Sequence, residues 1–341
     1  MTVLTGFLGS GKTTVLNHVL RDADFADTAV IVNEWGAAPI DHALVRESGE
    51  NVVVLPSGCI CCRVAGDLVR TLRELHQQRA DGALPGFRRV VIETSGLADP
   101  APLLATLIEM PVVAARFALS GVAATIDAEH GMATLDAHPE AVKQAAMADR
   151  HVMTKLDRTP GGAAALEARL ARLNPGARLM HADHGRVDAR GLLEAGLYRG
   201  EARAPDAAGW LNFGAYRRVG APGAIHDPRI SSFVWRHAQP VAWEDLETAL
   251  ETLLDLFGER ILRMKGLVNV AGEPGPRAVH AVQHTLYPSA RLATWPDADR
   301  STRLVFIGRD LEEARAAPIL DSFLSPKSPR GVPWQPSIPK T

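Results

Sequence analysis

Short apolar runs alternate with longer amphipathic stretches along the first 198 residues of the chain. The runs are TVLT (2–5), AVIVNEW (29–35), NVVVLP (51–56), RRVVIET (88–94), GVAATID (121–127), RHVMTKLD (150–157) and ARLMHA (177–182). Between two of them, residues 64–78 carry Leu68, Leu72 and Leu75 at the spacing of one helix face. Continuous apolar strands separated by helices are typical of parallel sheets that are buried on both faces. Residues 1–198 are therefore predicted to form an α/β domain with a mainly parallel sheet and helices on both of its faces.

A second pattern follows residues 199–228, a stretch rich in Gly, Ala, Pro and Asp that is predicted to be a linker. A helix over 243–256 is predicted from Leu246, Leu250, Leu253 and Leu254, which share one face. The predicted strands cover residues 230–236, 260–271, 277–287 and 303–308, and a short final helix is predicted near 310–316. Residues 229–324 are therefore predicted to form a small α+β domain, and the proline-rich residues 325–341 a disordered or loosely docked tail.

Composition and charge narrow the class of protein. Apolar residues make up 46% of the 341 residues, and 37 Lys and Arg against 39 Asp and Glu leave a net charge of -2. This balance argues against a nucleic-acid-binding protein held by bulk positive charge and against an acidic disordered chain. The sequence also has no uninterrupted apolar run of about 18 residues and no signal-peptide layout at its start. We therefore expect a cytoplasmic protein whose partners include neither nucleic acid nor a membrane.

The segment GFLGSGKT (6–13) fits G-x-x-x-x-G-K-[ST], and it lies between a predicted strand and a helical run. Backbone N–H groups of such a loop surround the phosphates of a nucleoside triphosphate. The Lys12 ammonium is predicted to reach the β- and γ-phosphates, and the Thr13 hydroxyl is predicted to bind Mg²⁺. The predicted nucleotide-binding residues of this loop are Gly6, Gly9, Ser10, Gly11, Lys12, Thr13 and Thr14. The segment therefore predicts a P-loop NTPase.

Thr154-Lys155-Leu156-Asp157 ends a predicted strand and matches the [NT]-K-x-D element of guanine-specific P-loop proteins. The Asp157 carboxylate can accept hydrogen bonds from the N1–H and N2–H₂ groups of guanine, which adenine lacks. The aliphatic part of Lys155 can lie over the purine ring. Thr154 in place of Asn removes one amide, so the motif indicates the identity of the base more firmly than its affinity. GTP and GDP are therefore the predicted nucleotides.

Glu93-Thr94-Ser95-Gly96 ends another predicted strand. The Glu93 carboxylate is predicted to hold Mg²⁺, directly or through water, and the Gly96 N–H is predicted to sense the γ-phosphate. Lys12, Thr13 and Glu93 are thus the candidate catalytic residues. No glutamine in the sequence stands out as a residue that positions the attacking water. We therefore expect slow intrinsic hydrolysis of GTP, which dimerisation or a partner stimulates.

All three cysteines of the chain fall within four positions, at Cys59, Cys61 and Cys62. An odd, clustered set cannot form a disulfide framework, and thiolates that precede a helix bind soft or borderline metals. Because Zn²⁺ usually takes four ligands, a site here needs further ligands from elsewhere in the chain, from a second copy or from a client protein. A buried or oxidised cluster without a metal is the alternative interpretation.

Five segments in this order, GFLGSGKTT, NEWG (33–36), GCICC (58–62), ETSG (93–96) and TKLD (154–157), resemble the CobW-like metallochaperone GTPases. Those are relatives of the nickel-insertion GTPases for urease and hydrogenase. Residues 262–272 also resemble the C-terminal domain of that family. The resemblance implies a GTPase that carries or senses a transition metal, most often Zn²⁺ and sometimes Co²⁺. It also implies a GTP cycle coupled to metal delivery to a client metalloenzyme, with a homodimer as one assembly to consider.

The chain departs from the family pattern at Ala37, where the family commonly has an acidic residue after N-E-F-G. Asp41 and His42 follow a few residues later and are candidate replacements as metal ligands. Two pairs of histidines are weaker candidates for a metal or partner role. They are the loop pair His181 and His184, and the pair His280 and His284, which is predicted to share one face of a strand.

Two other classes of function remain open from the sequence. The first is a non-catalytic zinc sensor or binding protein that uses nucleotide only as a structural ligand. The second is a P-loop small-molecule kinase. The TKLD segment argues against the kinase, as does the lack of an Arg-rich segment that would close over a phosphoryl acceptor.

Overall fold

The N-terminal domain, which comprises the described residues up to 193, is built on one sheet. The structure, a computed structural model, describes residues 1–25, 27–33, 52–54, 63–84, 86–159, 161–193 and 230–324. The strands are β1 (Thr2–Gly6), β2 (Thr28–Asn33), β3 (Val52–Val54), β4 (Arg89–Thr94), β5 (Gly121–Asp127), β6 (Arg150–Thr154) and β7 (Arg178–His181). They form a seven-stranded sheet in the order β3-β2-β4-β1-β5-β6-β7. Every pair of neighbours is parallel, which confirms the predicted parallel sheet.

Helices cover both faces of this sheet. The described helices are α1 (Lys12–Arg21), α2 (Arg63–Ala80), α3 (Ala101–Glu109), α4 (Pro111–Ala114), α5 (Gly131–Ala137), α6 (Pro139–Met147), α7 (Ala164–Leu173) and α8 (Ala189–Leu193). Leu4 packs with α1 on one face, whereas Val3 belongs to the core beneath α2, α3, α6 and α7 on the other. Because both faces are buried, the strands are apolar throughout. Within the described residues, no helix combines the length and apolar character that crossing a membrane requires.

The C-terminal domain, residues 230–324, is a second and antiparallel sheet. Its elements are β8 (Ile230–His237), α9 (Trp243–Phe257), β9 (Ile261–Val268), β10 (Arg277–Val282), β11 (Thr285–Leu286), β12 (Ala290–Arg291), β13 (Thr302–Arg309) and α10 (Glu313–Leu324). The strand order is β11-β10-β9-β13-β8, with β12 paired to β10. Leu250, Leu253 and Leu254 of α9 are buried against Met264 and Phe306 of the sheet. This confirms the predicted α+β domain.

Two predictions in the C-terminal domain are wrong in detail. The predicted strand 277–287 is two strands, because Gln283 adopts a left-handed φ of 49° and reverses the chain. His280 and His284 therefore do not share a strand face. The buried His280 ring lies 3.8 Å from the Tyr287 ring, whereas His284 packs against Gly258.

The predicted final helix near 310–316 is also too short. Helix α10 continues to Leu324 with Pro318 inside it. A proline normally ends a helix, but Ala316 and Leu320 on either side of it are buried in the domain core. Packing thus outweighs the local helix-breaking preference. The predicted boundaries of the linker and of the tail fall outside the described residues and remain predictions.

A buried ion-pair cluster joins the two domains. Asp149, directly before β6, accepts from Lys265 Nζ at 2.7 Å and from the Arg263 guanidinium, both on β9. Arg263 also donates to the carbonyl of Met147, the last residue of α6. The side chains of Asp149 and Arg263 are each only 4% exposed. Around them Ile230, Leu262, Val282 and Ile307 of the C-terminal domain are part of the N-terminal domain's apolar core.

The two cations keep Asp149 ionised. Burial alone raises the pKa of Asp149, but the positive charges of Arg263 and Lys265 outweigh it and hold that pKa far below its ordinary value. A carboxylate whose pKa is lower in the folded than in the unfolded chain stabilises the fold above its ordinary pKa of about 4. That stabilisation is lost as the pH falls below this value.

Asp149→Asn is expected to lower the free energy of unfolding by about 3–5 kcal/mol, because it leaves the buried Arg263 guanidinium without its counter-charge. Urea unfolding at pH 7 measures this loss. The variant should also lose less stability than the wild type as the pH falls below about 4, because its residue 149 no longer titrates.

Asp136→Asn is the matched control, since the side chain of Asp136 is 54% exposed where it pairs with Arg169. This substitution should change the free energy of unfolding by no more than about 1 kcal/mol. An Asp149 variant as stable as this control would contradict the role of the cluster.

Candidate functional site

The loop that follows β1 brings the predicted phosphate-binding residues together. It begins at Gly6, the last residue of β1, and ends at Lys12, the first residue of α1. The Ser10 N–H donates to the Phe7 carbonyl at 3.1 Å, which closes the turn. The first N–H groups of a helix lack partners within it, so the start of α1 supplies hydrogen-bond donors and a positive dipole end. The residues that the structure gathers here are Gly6, Gly9, Ser10, Gly11, Lys12, Thr13 and Thr14.

The Lys12 side chain is held against the loop. Its Nζ donates to the carbonyls of Gly6 at 3.0 Å and Phe7 at 3.3 Å, and the residue is buried. Gly11, directly before it, has a φ of 90° and would place an added Cβ 3.3 Å from the Thr154 side chain. Any other residue would strain the turn that leads into Lys12. An ammonium group at this position is suited to hold phosphate oxygens.

Thr13 of α1 and Glu93 of β4 come together because α1 follows β1, the neighbour of β4. The register pairs Leu4 of β1 with Glu93 of β4, which brings the end of β4 beside the loop. The Thr13 hydroxyl donates to Glu93 Oε1 at 2.8 Å, and Glu93 is only 1% exposed. A hydroxyl beside a carboxylate offers the oxygen ligands that Mg²⁺ prefers. The donor set of the two predicted magnesium residues therefore fits the ion.

Gly96, just after β4, packs directly on the phosphate loop. A Cβ added to Gly96 would lie 2.6 Å from the backbone nitrogen of Leu8. The end of β4 is tied to β1, because Thr94 Oγ1 donates to Thr5 Oγ1 at 2.9 Å. Only glycine allows so close an approach between the two segments. The residue predicted to sense the γ-phosphate is thus in contact with the loop that would hold it.

The TKLD segment contacts the same loop from the other side. Thr154 Oγ1 donates to the Ser10 carbonyl at 2.7 Å. Lys155 adopts a left-handed φ of 57°, and its Nζ donates to Asp127 Oδ2 at 2.6 Å. Asp157 is exposed, so its carboxylate is accessible to a base. The threonine hydroxyl therefore links the TKLD segment to the loop that follows β1.

Asp127 is a site residue that the motifs do not reveal. Burial raises its pKa, but hydrogen bonds from Lys155 and from the N–H groups of His130 and Glu129 lower the pKa below its ordinary value overall. The ionised carboxylate therefore fixes the Lys155 ammonium. One signal was present in the sequence, because Asp127 ends an apolar strand as Glu93 does.

Gln144 of α6 is a second residue that sequence reasoning missed. It is 1% exposed, and its Nε2 donates to the carbonyls of Gly96 at 3.1 Å and Ala98 at 3.0 Å. A cavity of about 250 Å³ lies beside the loop and has Phe7, Thr125 and Gln144 among its lining residues. The only signal for Gln144 was a polar residue in an apolar stretch of helix, which does not name a partner.

The predicted transition-metal residues lie outside the described residues, and they are Cys59, Cys61, Cys62, Asp41, His42 and the segment 34–37. Over the ranges that the structure does describe, no group of three or more His, Cys, Asp or Glu side chains is arranged to hold a metal. His181 lies 3.0 Å from Glu167, and His184 lies 3.7 Å from Asp183. Each ring therefore faces its own exposed carboxylate.

Comparison with known families accounts for both domains. Residues 1–181 match the nucleotide-binding domain of the CobW/HypB/UreG family. The chain belongs to this family. Residues 230–324 match the C-terminal domain of the cobalamin synthesis protein cobW, which corresponds to the second sheet. The resemblance in the motifs is thereby confirmed.

Two zinc chaperones and one solved structure are similar over nearly the whole chain. The zinc chaperone YjiA of Escherichia coli is 34% identical over 93% of this chain and 96% of its own. The zinc chaperone CobW of Pseudomonas aeruginosa is 32% identical over 95% of this chain and 91% of its own. The solved structure of the Zn(II)-bound YjiA GTPase from E. coli matches with a TM-score of 0.65 at 27% identity, and the match covers 94% of this chain and 98% of that one. The predicted two-domain fold is confirmed.

Gly96→Ala is expected to weaken binding of a non-hydrolysable GTP analogue about tenfold or more, because its Cβ would push residue 96 away from the loop. Gly66→Ala is the matched control, since among the described residues nothing beyond the backbone of α2 itself lies within 4 Å of the added Cβ. It should gain about 0.5–1 kcal/mol of stability and leave affinity unchanged. Isothermal titration calorimetry with the GTP analogue, in the presence of Mg²⁺, measures the affinity of both variants. Equal affinities in the two variants would count against the contact between Gly96 and the loop.

Proposed function

We propose that this chain is a Mg²⁺-dependent GTPase that binds a transition metal through Cys59, Cys61 and Cys62 and passes it to a client protein in step with GTP hydrolysis. The observation that carries the nucleotide part is the 2.8 Å contact between the Thr13 hydroxyl and the buried Glu93 carboxylate. The similarity to two zinc chaperones supports the metal part and makes Zn²⁺ the first candidate, with Co²⁺ the second.

Different groups of the loop bind different phosphate oxygens. The Lys12 ammonium holds the β- and γ-phosphate oxygens, and the N–H groups at the start of α1 bind the others. Thr13 and Glu93 are the residues that would hold Mg²⁺, which neutralises phosphate charge when it is bound. The amide of Gln144 already donates to two carbonyls. Because that amide is engaged, we do not assign Gln144 to water activation, and we expect slow hydrolysis.

The guanine base is read by Asp157. Its exposed carboxylate can accept from two guanine donors, and adenine offers no such pair. The Lys155 side chain, fixed by Asp127 at 2.6 Å, provides an aliphatic surface for the ring. Thr154 keeps this segment at a constant distance from the phosphate loop through Ser10. Base and phosphates are thus read by two connected parts of one site.

The short sequence distance between the end of β3 and the cysteines supports a metal site near this edge of the sheet. β3 ends at Val54, and parallel strands end at the same edge as β1. Five residues lead from Val54 to Cys59, so chain length alone keeps Cys59 within about 18 Å of that strand end. Cys62 directly precedes α2, which begins at Arg63. A thiolate beside a helix N-terminus is stabilised and therefore suited to metal binding.

We infer that this edge of the sheet also connects the nucleotide site with the proposed metal site. Asn33 at the end of β2 pairs with Thr94 at the end of β4. β2 and β4 therefore end side by side, and β3, which the cysteines follow in the sequence, is the next strand beyond β2. We infer that GTP tightens the metal site through this contact and that hydrolysis loosens it, which releases the metal to a client. A homodimer remains one way to complete the ligand set.

Asp157→Asn is expected to weaken GTP binding at least about tenfold and to favour xanthosine triphosphate instead, because an amide donates where the carboxylate accepts. The change in nucleotide preference is measured by letting GTP and xanthosine triphosphate each displace a bound fluorescent GTP analogue. Asp81→Asn, at an exposed residue after α2, is the control and should keep the preference for GTP. An unchanged preference in the Asp157 variant would remove this residue from the base site.

Anaerobic titration of the reduced protein with Co²⁺ and Zn²⁺ tests the metal assignment. Thiolate-to-Co²⁺ charge-transfer absorption should be stronger with Mg²⁺ and a GTP analogue than with GDP, and it should disappear in Cys61→Ala. Ile60→Ala is the control, because it lies between the cysteines and removes no thiol. Absence of thiolate absorption in every state would refute the metal site, whereas equal affinity with GTP analogue and GDP would refute only the coupling.

A further inference from the structure

Gln144 of α6 fixes the turn that carries Gly96 through two hydrogen bonds. Its single amide group donates to the carbonyls of Gly96 and Ala98, which flank the exposed Leu97. One side chain therefore holds the Gly96–Leu97 peptide and the Ala98–Asp99 peptide. Because a buried amide donor is costly to leave without an acceptor, the turn and Gln144 keep this arrangement.

Helix α6 itself is anchored at its C-terminal end. Asn174 Nδ2 donates to the carbonyls of Ala145 at 3.2 Å, Ala146 at 2.9 Å and Ala148 at 2.8 Å. The His151 ring also contacts the Ala145 carbonyl at 2.8 Å. Burial lowers the pKa of His151 to about 4, so the ring is neutral at pH 7 and its Nε2–H donates. These contacts make the helix a fixed support for Gln144.

Gly96 in this turn also packs closely against Leu8 of the phosphate loop. A Cβ on Gly96 would lie 2.6 Å from the backbone nitrogen of Leu8 and 2.7 Å from its Cδ2. On α6, Lys143 adds an ion pair to Asp99 at 2.7 Å. The turn is thus held between the phosphate loop and α6. Gly96 cannot shift without breaking the Gln144 hydrogen bond or displacing Leu8.

We propose that Gln144 is a positioning residue that sets the preference of this chain for GTP over GDP. By holding the Gly96 carbonyl, it keeps the Gly96 N–H directed at the place of the third phosphate. GDP lacks that phosphate and gains nothing from the contact, so Gln144 contributes to the affinity for GTP alone. The proposal rests on the nucleotide function proposed above and adds the residue that makes it sensitive to the γ-phosphate.

The test compares dissociation constants of the full chain, with Mg²⁺, for a non-hydrolysable GTP analogue and for GDP. Gln144→Met keeps the side-chain length and removes both donated hydrogens, whereas Gln144→Glu keeps the shape and turns acceptors toward two carbonyls. We expect the affinity for the analogue to fall about tenfold in the first and further in the second, with GDP affinity within about twofold of the wild type. Gln77→Met is the matched control, because exposed Gln77 donates only to Asp81 among the contacts described.

Two outcomes with the variants overturn the proposal. If neither affinity changes in the variants, Gln144 does not discriminate between the nucleotides. If both affinities fall by the same factor, the role of Gln144 is merely structural. A wild-type chain that binds neither nucleotide is a different result, because it refutes the proposed function itself.

A measurement on the wild type avoids dependence on how a variant folds. The NMR resonance of the Gln144 side-chain amide should differ between the complexes with GTP analogue and with GDP. The Gln77 amide serves as the internal control and should not shift. Identical Gln144 resonances in the two complexes would overturn the proposal.

Discussion

β1 pairs with β4 on one side and with β5 on the other, and both pairs are parallel. Parallel strands end at the same edge, so the phosphate loop is placed between the ends of its two neighbours. Glu93 comes from β4 and Asp127 from β5, while Lys155 follows β6, the next strand outward. Thr13 and Glu93 are 80 positions apart in sequence and meet only because of this order. The geometry of the candidate site therefore depends on strand pairing before it depends on any single side chain.

The C-terminal domain is attached to the same scaffold through α6 rather than through the loop. Arg263 binds the last carbonyl of α6 and, with Lys265, the Asp149 carboxylate that precedes β6. Val122 of β5 donates its N–H to the same carboxylate at 2.9 Å. The second sheet is thus fixed to the N-terminal ends of strands whose C-terminal ends carry the candidate nucleotide site. A client bound to the second sheet would be held at a constant place relative to the loop.

The sequence predicted the parts that obey local rules. The glycine loop, the apolar strands and the leucine face of α9 follow from spacing and from burial on both sheet faces. The split at Gln283 was missed because an apolar run on both sides hides a turn that uses an unusual φ. Gln144 and Asp149 were missed for another reason. Their roles depend on partners far away in the chain, at Gly96 and at Arg263, and a single sequence does not show such pairs.

The cost of breaking the buried ion pairs at the end of α6 exceeds the free energy by which nucleotide binding is usually coupled to another site. Breaking a buried ion pair costs about 3–5 kcal/mol, whereas nucleotide-dependent coupling is typically about 1–3 kcal/mol. The γ-phosphate therefore cannot move the end of α6 against Asp149, Arg263 and Lys265. In the proposed function α6 therefore stays fixed, Gln144 holds one side of the Gly96 turn, and the change on hydrolysis is taken up toward β2 and β3. The three cysteines follow β3 in the sequence, so under this proposal a change in the phosphates acts on the metal site rather than on the C-terminal domain.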